Sequence, residues 1–127
     1  MDLCDAIVKA AFEVHAVLGH GLLENIYELA LCHELGTQGI GCQRQVAIPV
    51  LYKGVVVRPP LYLDILVENQ VIVEVKSAEK DYPYYQVQLF TQMKLLEIPK
   101  GFLINFGKLS LHDGVCRLVH EPLSVCM

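Results

Sequence analysis

Two apolar segments that carry three charged side chains constrain the fold of this chain more than any other feature. The segments are Leu61–Val67 and Val71–Lys76, and the polar residues Glu68-Asn69-Gln70 separate them. Short apolar runs on either side of a polar turn are typical of a β-hairpin. The charged residues inside the runs are Asp64, Glu74 and Lys76. Because charges in apolar strands are costly unless they pair or bind an ion, these three are the first candidates for a functional site.

Strand geometry decides whether these side chains can meet. Side chains alternate between the two faces of a strand, so Glu74 and Lys76 share one face. A three-residue turn pairs Val67 with Val71 and places Asp64 opposite Glu74, with Cβ atoms about 4.5–5.5 Å apart. Two carboxylates at that distance can bind one divalent cation. A two-residue turn would direct them to opposite faces, so the site requires an odd turn or a bulge.

Three segments have the spacing of amphipathic helices. The first spans residues 2–18, with Asp2 as the N-cap and apolar side chains three and four residues apart as far as Val17. The second runs from about Leu22 to Leu35 and ends at a glycine. The third begins at Pro83, which suits a first helical turn, and continues to about Leu96.

The second helix decides which acidic side chains face the core. Its predicted core residues are Leu23, Ile26, Tyr27 and Ala30. Glu24 and Glu28 then lie one turn apart on the other side, where like charges are mildly destabilising. A solvated position is the simpler interpretation for both carboxylates, and more so for Glu28.

The remaining strands complete a mixed sheet. They are predicted at Gln43–Tyr52, Val55–Val57, Gly101–Phe106 and Val115–His120. Pro49 lacks an amide donor and favours a sheet edge for the first strand, and Pro59-Pro60 interrupts the next strand as a bulge or bend. The crossover through the third helix makes the strands on either side of it parallel. This order predicts an α/β sandwich with the sheet between helices.

Composition limits the class of protein. A chain of 127 residues fits one domain, which we place at residues 1–127, and its low charged fraction of 19% leaves room for a homo-oligomer contact. No apolar run is long enough for a membrane span, and the first ten residues lack a secretory signal. Five scattered cysteines without a CxxC pair favour reduced thiols and a cytoplasmic location. The net charge of −4 argues against broad nucleic-acid affinity through bulk charge.

Asp64 followed by Glu74-Val75-Lys76 on consecutive strands resembles the PD-(D/E)XK nuclease superfamily, although Leu63 replaces the usual proline. The second helix adds GLLENIY, Gly21–Tyr27, which matches GxxExxY, the motif of a small bacterial family in that superfamily. The resemblance continues through IPVLYKG, LDILVENQVIVEVKSAE and QLFTQMKLLEIPKGFLINF. Two positions depart from the family pattern, with Tyr62 in place of an arginine and Tyr85 in place of a histidine.

This resemblance implies a restriction-endonuclease-like core of the order αβββαβ and a nuclease that cleaves DNA or RNA. The implied active-site residues are Glu24, Asp64, Glu74, Lys76 and Gln88. Asp64, Glu74 and the Val75 carbonyl would bind Mg²⁺, or Mn²⁺ in its place, and Glu24 would reach a metal-bound water. A noncatalytic domain that uses the same fold to bind a partner or to oligomerise remains the alternative.

Overall fold

Three α-helices lie in the described part of the chain, and the first of them has a side-chain N-cap. The computed structural model describes residues 2–120, apart from the side chain of Pro59. In that range the α-helices are α1 (Leu3–Leu18), α2 (Glu24–Gly36) and α3 (Pro83–Leu96). The side chain of Asp2 accepts a hydrogen bond from the Asp5 amide and caps α1, as predicted.

Five strands form one sheet within the described residues. They are β1 (Cys42–Tyr52), β2 (Val55–Val67), β3 (Val71–Lys76), β4 (Lys100–Asn105) and β5 (Val115–Val119), and their spatial order follows the chain. β3 and β4 are parallel, and the other neighbouring pairs are antiparallel. The predicted meander, the parallel crossover pair and the edge position of the Pro49 strand are confirmed.

The turn between β2 and β3 has the length that the charged hairpin requires. Val67 pairs with Val71, and Ile65 pairs with Val73. The three-residue turn is therefore confirmed, and two of its residues have positive φ, Glu68 at 51° and Asn69 at 56°. This register places Asp64 level with Glu74 at the end of the paired region.

β2 continues through Pro59-Pro60, so the predicted interruption of the strand is wrong. The predicted bulge is present, because Ile48 pairs with Leu61 while Val50 pairs with Arg58. Two β2 residues thus lie opposite Pro49 alone. A bulge tolerates prolines because it needs fewer ladder hydrogen bonds, and the strand can therefore pass through it.

The helices cover both faces of the sheet. α1 and α2 pack over one face, against side chains that include Val71, Val73 and Val75. α3 packs over the other face, where Leu89 and Met93 are fully buried. Alternate β3 residues therefore face different helices, as strand periodicity predicts. None of the described helices combines the length and the apolar character that crossing a membrane requires.

The orientation of α2 differs from the prediction. Leu23 is 73% exposed and Ile26 is 38% exposed, whereas Tyr27, Leu31 and Leu35 are fully buried. The helix begins at Glu24, which leaves Leu23 outside it as the N-cap residue. The buried stripe then follows the four-residue spacing from Tyr27 to Leu35. Val17, also predicted as core, is 72% exposed at the end of α1.

Tyr27 fixes the connection between α1 and α2. Its ring stacks on Phe106 with centroids 4.5 Å apart, and its hydroxyl donates to the Gly19 carbonyl at 2.7 Å. The same hydroxyl accepts the Leu22 amide at 3.2 Å. Gly21, between these partners, has a φ of 99° that favours glycine. The tyrosine of the GxxExxY motif is therefore a core residue, as predicted.

The described cysteines, Cys4, Cys32, Cys42 and Cys116, are all free thiols. Cys126 lies outside the described residues.

Candidate active site

Asp64 lies where β2 and β3 stop pairing. The ladder ends at Ile65 and Val73, and one step further the Asp64 Oδ2 atom accepts the Val75 amide at 2.8 Å. A side-chain carboxylate thus takes the place of a backbone acceptor. Gln45, level with Asp64 on β1, has a φ of 51°, which a residue other than glycine adopts at some cost. Irregular backbone on both sides therefore holds Asp64 at this point of the sheet.

Glu74 is buried beside Asp64. Its exposed fraction is 6%, and its carboxyl shares a hydrogen bond with the Asp64 carboxyl. Burial raises the pKa of Glu74 to about 8, and the charge of Asp64 and that hydrogen bond add to the effect. Lys76 opposes the shift from 3.6 Å away, measured from Nζ to Glu74 Oε2. The two carboxyl groups therefore meet with too little positive charge near them, and they hold a proton at neutral pH.

Three side chains fix the ammonium group of Lys76. Besides Glu74, its Nζ donates to Gln88 Oε1 at 3.2 Å and lies 4.6 Å from the centre of the Tyr85 ring. Gln88 therefore contacts the lysine, as its predicted position implies. Tyr85 thus contributes a cation–π contact to the site.

Glu24 is exposed as the first residue of α2. Among the described residues, direct contacts join Asp64, Glu74, Lys76 and Gln88, and no hydrogen bond or ion pair joins Glu24 to them. A role for Glu24 in the site stays a prediction.

Glu28, one turn further along α2, is the helix carboxylate that faces this region. It is 4% exposed, so the predicted solvated position is wrong. Its Oε1 accepts hydrogen bonds from Arg44 Nη2 at 3.1 Å and from Gln45 Nε2 at 3.0 Å. Burial raises the pKa of Glu28, and the nearby negative charge of Asp64 raises it further. Glu28 is thus within electrostatic reach of Asp64.

Comparison with known proteins agrees with this geometry. The family model of the PD-(D/E)XK nuclease superfamily matches residues 1–118. The chain belongs to this superfamily. Its α/β fold is consistent with the restriction-endonuclease-like core of PD-(D/E)XK proteins. Searches among curated proteins and among solved structures find no match.

PD-(D/E)XK nucleases generally use divalent metal ions, and the donor set of this chain fits such an ion. Asp64 and Glu74 supply hard carboxylate oxygens, which suit Mg²⁺ and leave positions for water. Burial and the charge of Asp64 raise the pKa of Glu74, so a cation bound here would favour the ionised carboxylate. Among the described residues no group of three or more histidine, cysteine or acidic side chains is arranged to bind a metal. The fit therefore rests on two carboxylates rather than on a closed cage.

Local sequence contained one signal for the residue that was missed. Glu28 lies next to Tyr27 and one turn before Leu31, so it borders the buried stripe of α2. An apolar stripe with a spacing of four, through Tyr27 and Leu35, places Glu28 at its edge. Its partners Arg44 and Gln45 come from β1, and their contact with α2 is a tertiary feature without a local pattern.

Proposed function

We propose that this PD-(D/E)XK protein is a Mg²⁺-dependent nuclease of the GxxExxY family that hydrolyses phosphodiester bonds in DNA or RNA. The observation that carries the proposal is the contact between the Asp64 and Glu74 carboxyls, with the Lys76 ammonium 3.6 Å from Glu74. At one end of a buried strand pair, apolar side chains would pack better than two carboxylates and a lysine, so packing alone does not explain these charged residues.

The proposed ligands are Asp64, Glu74 and the backbone carbonyl of Val75. Glu24, as the motif implies, or Glu28, as its burial beside Asp64 favours, would contact a metal-bound water. When bound, Mg²⁺ or Mn²⁺ would polarise the scissile phosphate and lower the pKa of a water nucleophile.

Lys76 is proposed to stabilise the negative charge that builds on the phosphate. Its ammonium is already fixed by Gln88 and by the ring of Tyr85, so little reorganisation is needed when substrate binds. Gln88 would act by holding that ammonium in place. Glu74 must release its proton before it can act as a ligand, because only the ionised carboxylate binds a cation well.

The test is cleavage of single-stranded and double-stranded DNA and RNA by the purified protein in Mg²⁺, in Mn²⁺ and in EDTA. We expect cleavage that requires the divalent ion and is lost in both Lys76→Ala and Asp64→Asn. Cleavage that persists in EDTA, or that both variants retain, would come from a contaminating nuclease or another site and would contradict the proposal.

A noncatalytic binding or oligomerisation domain is the second candidate, and two observations favour it. The net charge of −4 gives little general attraction for nucleic acid. The β1–β2 hairpin also exposes a group of apolar side chains, Leu51, Tyr52, Val55, Val56 and Val57. Light scattering across a range of protein concentrations tests whether the protein self-associates. Absence of cleavage on every substrate of the panel would favour this candidate over the first.

A further inference from the structure

A pocket of about 370 Å³ opens directly beside the carboxylate pair, between β2 and α3. We call it the side pocket, and its lining includes Tyr62, Glu74, Tyr84, Gln88 and Gln92. Glu74 therefore belongs both to the candidate metal site and to the wall of this pocket. A molecule bound in the side pocket would lie next to the phosphate that Lys76 is proposed to contact.

Gln92 lines the side pocket and carries a buried hydrogen-bond acceptor that has no partner in the described part of the chain. The residue is only 9% exposed, and its Oε1 atom has no hydrogen-bond partner among the described residues. A buried carbonyl without a partner is destabilising, and native proteins keep few of them. Because this atom has almost no accessible surface, a ligand N–H group would pair with it once the Gln92 amide turns towards the pocket. Gln88, whose Oε1 accepts from Lys76, has an amide nitrogen that can donate in the same pocket.

Two tyrosines at the side pocket are available for stacking. Tyr62 is 58% exposed and Tyr84 is 65% exposed, although both line the pocket. Tyr85, by contrast, already lies against Lys76 and forms an edge-to-face contact with Tyr82. Exposed rings and side-chain amides that line the same pocket suit a flat heteroaromatic ligand, because stacking and edge hydrogen bonds act in perpendicular directions.

We propose that the side pocket binds an unpaired nucleobase of a single-stranded nucleic acid, next to the phosphate that is cleaved. Tyr62 and Tyr84 stack on the base, and Gln92 Oε1 accepts a hydrogen bond from an N–H on its edge. This proposal rests on the proposed nuclease function and specifies its substrate class. It also agrees with a chain of net charge −4, because base stacking does not depend on general attraction to phosphate. A base in an intact duplex cannot enter without leaving its stack.

The first test measures binding without catalysis. Fluorescence anisotropy in EDTA would compare labelled oligonucleotides of about 12 nucleotides, as single strands, duplexes and single strands with abasic sites. We expect the single strand to bind more tightly than the duplex and the abasic strand. The same comparison made with DNA and with RNA identifies which nucleic acid supplies the base. Equal binding of abasic and intact strands, or no binding of single strands, would overturn the proposal.

Variants of Tyr84 separate the ring from its hydroxyl. Tyr84→Ala should weaken single-strand binding at least about fivefold, the range expected for loss of one base–aromatic stack. Tyr84→Phe keeps the ring and should retain the affinity. Tyr52→Ala is the matched control, since this tyrosine is 63% exposed in the distant β1–β2 hairpin and should not matter. Equal weakening by all three variants, or none by Tyr84→Ala, contradicts a stacking role.

Gln92→Leu separates an effect on ligand binding from an effect on stability. Removing a buried, unpaired acceptor should leave the melting temperature unchanged or raise it, so loss of binding cannot be attributed to unfolding. We expect single-strand affinity to fall while stability does not. Unchanged affinity in Gln92→Leu would refute the hydrogen bond to the base.

Asp64→Asn separates the proposed base binding from the proposed nuclease function, because it should abolish cleavage and retain single-strand binding.

Discussion

The Asp64 carboxylate accepts the backbone amide of Val75 at 2.8 Å, one position beyond the last backbone pair of β2 and β3. The same carboxyl contacts Glu74, the residue before Val75. One oxygen of Asp64 is therefore committed to the strand, which fixes the direction of the other. An alanine at position 64 would leave the buried Val75 amide unpaired. Asparagine keeps an acceptor and removes only the charge, so it is the better probe of this site.

The first prediction is that Asp64→Asn loses the thermal response to divalent ions. In EDTA the variant should be as stable as the wild type or slightly more stable, because the charge at position 64 no longer adds to the burial that raises the pKa of Glu74. Mg²⁺ at ten times its dissociation constant should stabilise the wild type by about 1.4 kcal/mol, which raises the melting temperature by several degrees. Thermal melts at matched ionic strength measure both effects. Equal shifts in the two proteins would place the metal elsewhere.

The hairpin could be predicted from sequence because strand parity is a local rule. The polar turn fixed the register of Val67 and Val71, and that register brought Asp64 to Glu74. The position of Glu28 could not be predicted in the same way, because α2 has apolar residues on more than one side. Leu23 and Ile26 were predicted to face the core, but both are exposed.

Burial of a charge is a tertiary property. Glu28 is tolerated inside because Arg44 and Gln45 reach it from β1, sixteen and seventeen residues along the chain. The pocket at Gln92 has the same origin, since α3 meets β2 only in the folded state. Such features follow from which elements pack together, and a one-dimensional pattern does not contain them.

The second prediction concerns pH. The pKa of Glu74 is raised from 4.5 to about 8, so the folded state holds a proton that the unfolded state releases. The free energy of unfolding should therefore be highest below pH 4.5 for this group and should fall as the pH rises towards 8, by an amount on the order of 4–5 kcal/mol. Glu74→Gln should remove this dependence. The measurement is the melting temperature of both proteins in EDTA between pH 5 and 8.5, and parallel curves would show that Glu74 does not titrate in this window.

The third prediction separates Lys76 from the metal ligands. Lys76→Ala should lower kcat by about 10²–10³-fold, the usual effect of removing a fixed donor to a developing charge. Loss of this positive charge should raise the pKa of Glu74 further, so metal binding must be compared at pH 8.5 or above. There Mg²⁺ affinity, measured by calorimetry, should stay close to that of the wild type. Wild-type cleavage by the variant, or complete loss of metal binding at high pH, would contradict the assigned role.

The fourth prediction tests whether the motif tyrosine is structural. Tyr27→Phe removes the hydroxyl that joins Gly19 and Leu22 and keeps the ring that stacks on Phe106. The stability should fall by about 1–2 kcal/mol, because two partly buried backbone groups lose their partner. The kcat measured well below the melting temperature should not change. Tyr52→Phe, at an exposed position, is the control and should alter neither quantity. A large loss of kcat in stable Tyr27→Phe would assign the hydroxyl a chemical role instead.

The last prediction compares the two carboxylates of α2. Glu24 matches the motif but is exposed, whereas Glu28 is buried within electrostatic reach of Asp64. Glu28→Gln keeps the shape of the side chain and can still accept a hydrogen bond from Arg44. It removes the negative charge beside Asp64, and changes of this kind around a metal site cost about 10–100-fold in metal affinity or activity. Glu24→Gln should cost less, since water already screens an exposed carboxylate. The measurements are the metal affinity and the kcat of both variants. A larger loss in Glu24→Gln would show that Glu24, and not Glu28, is the helix carboxylate that acts at the metal site.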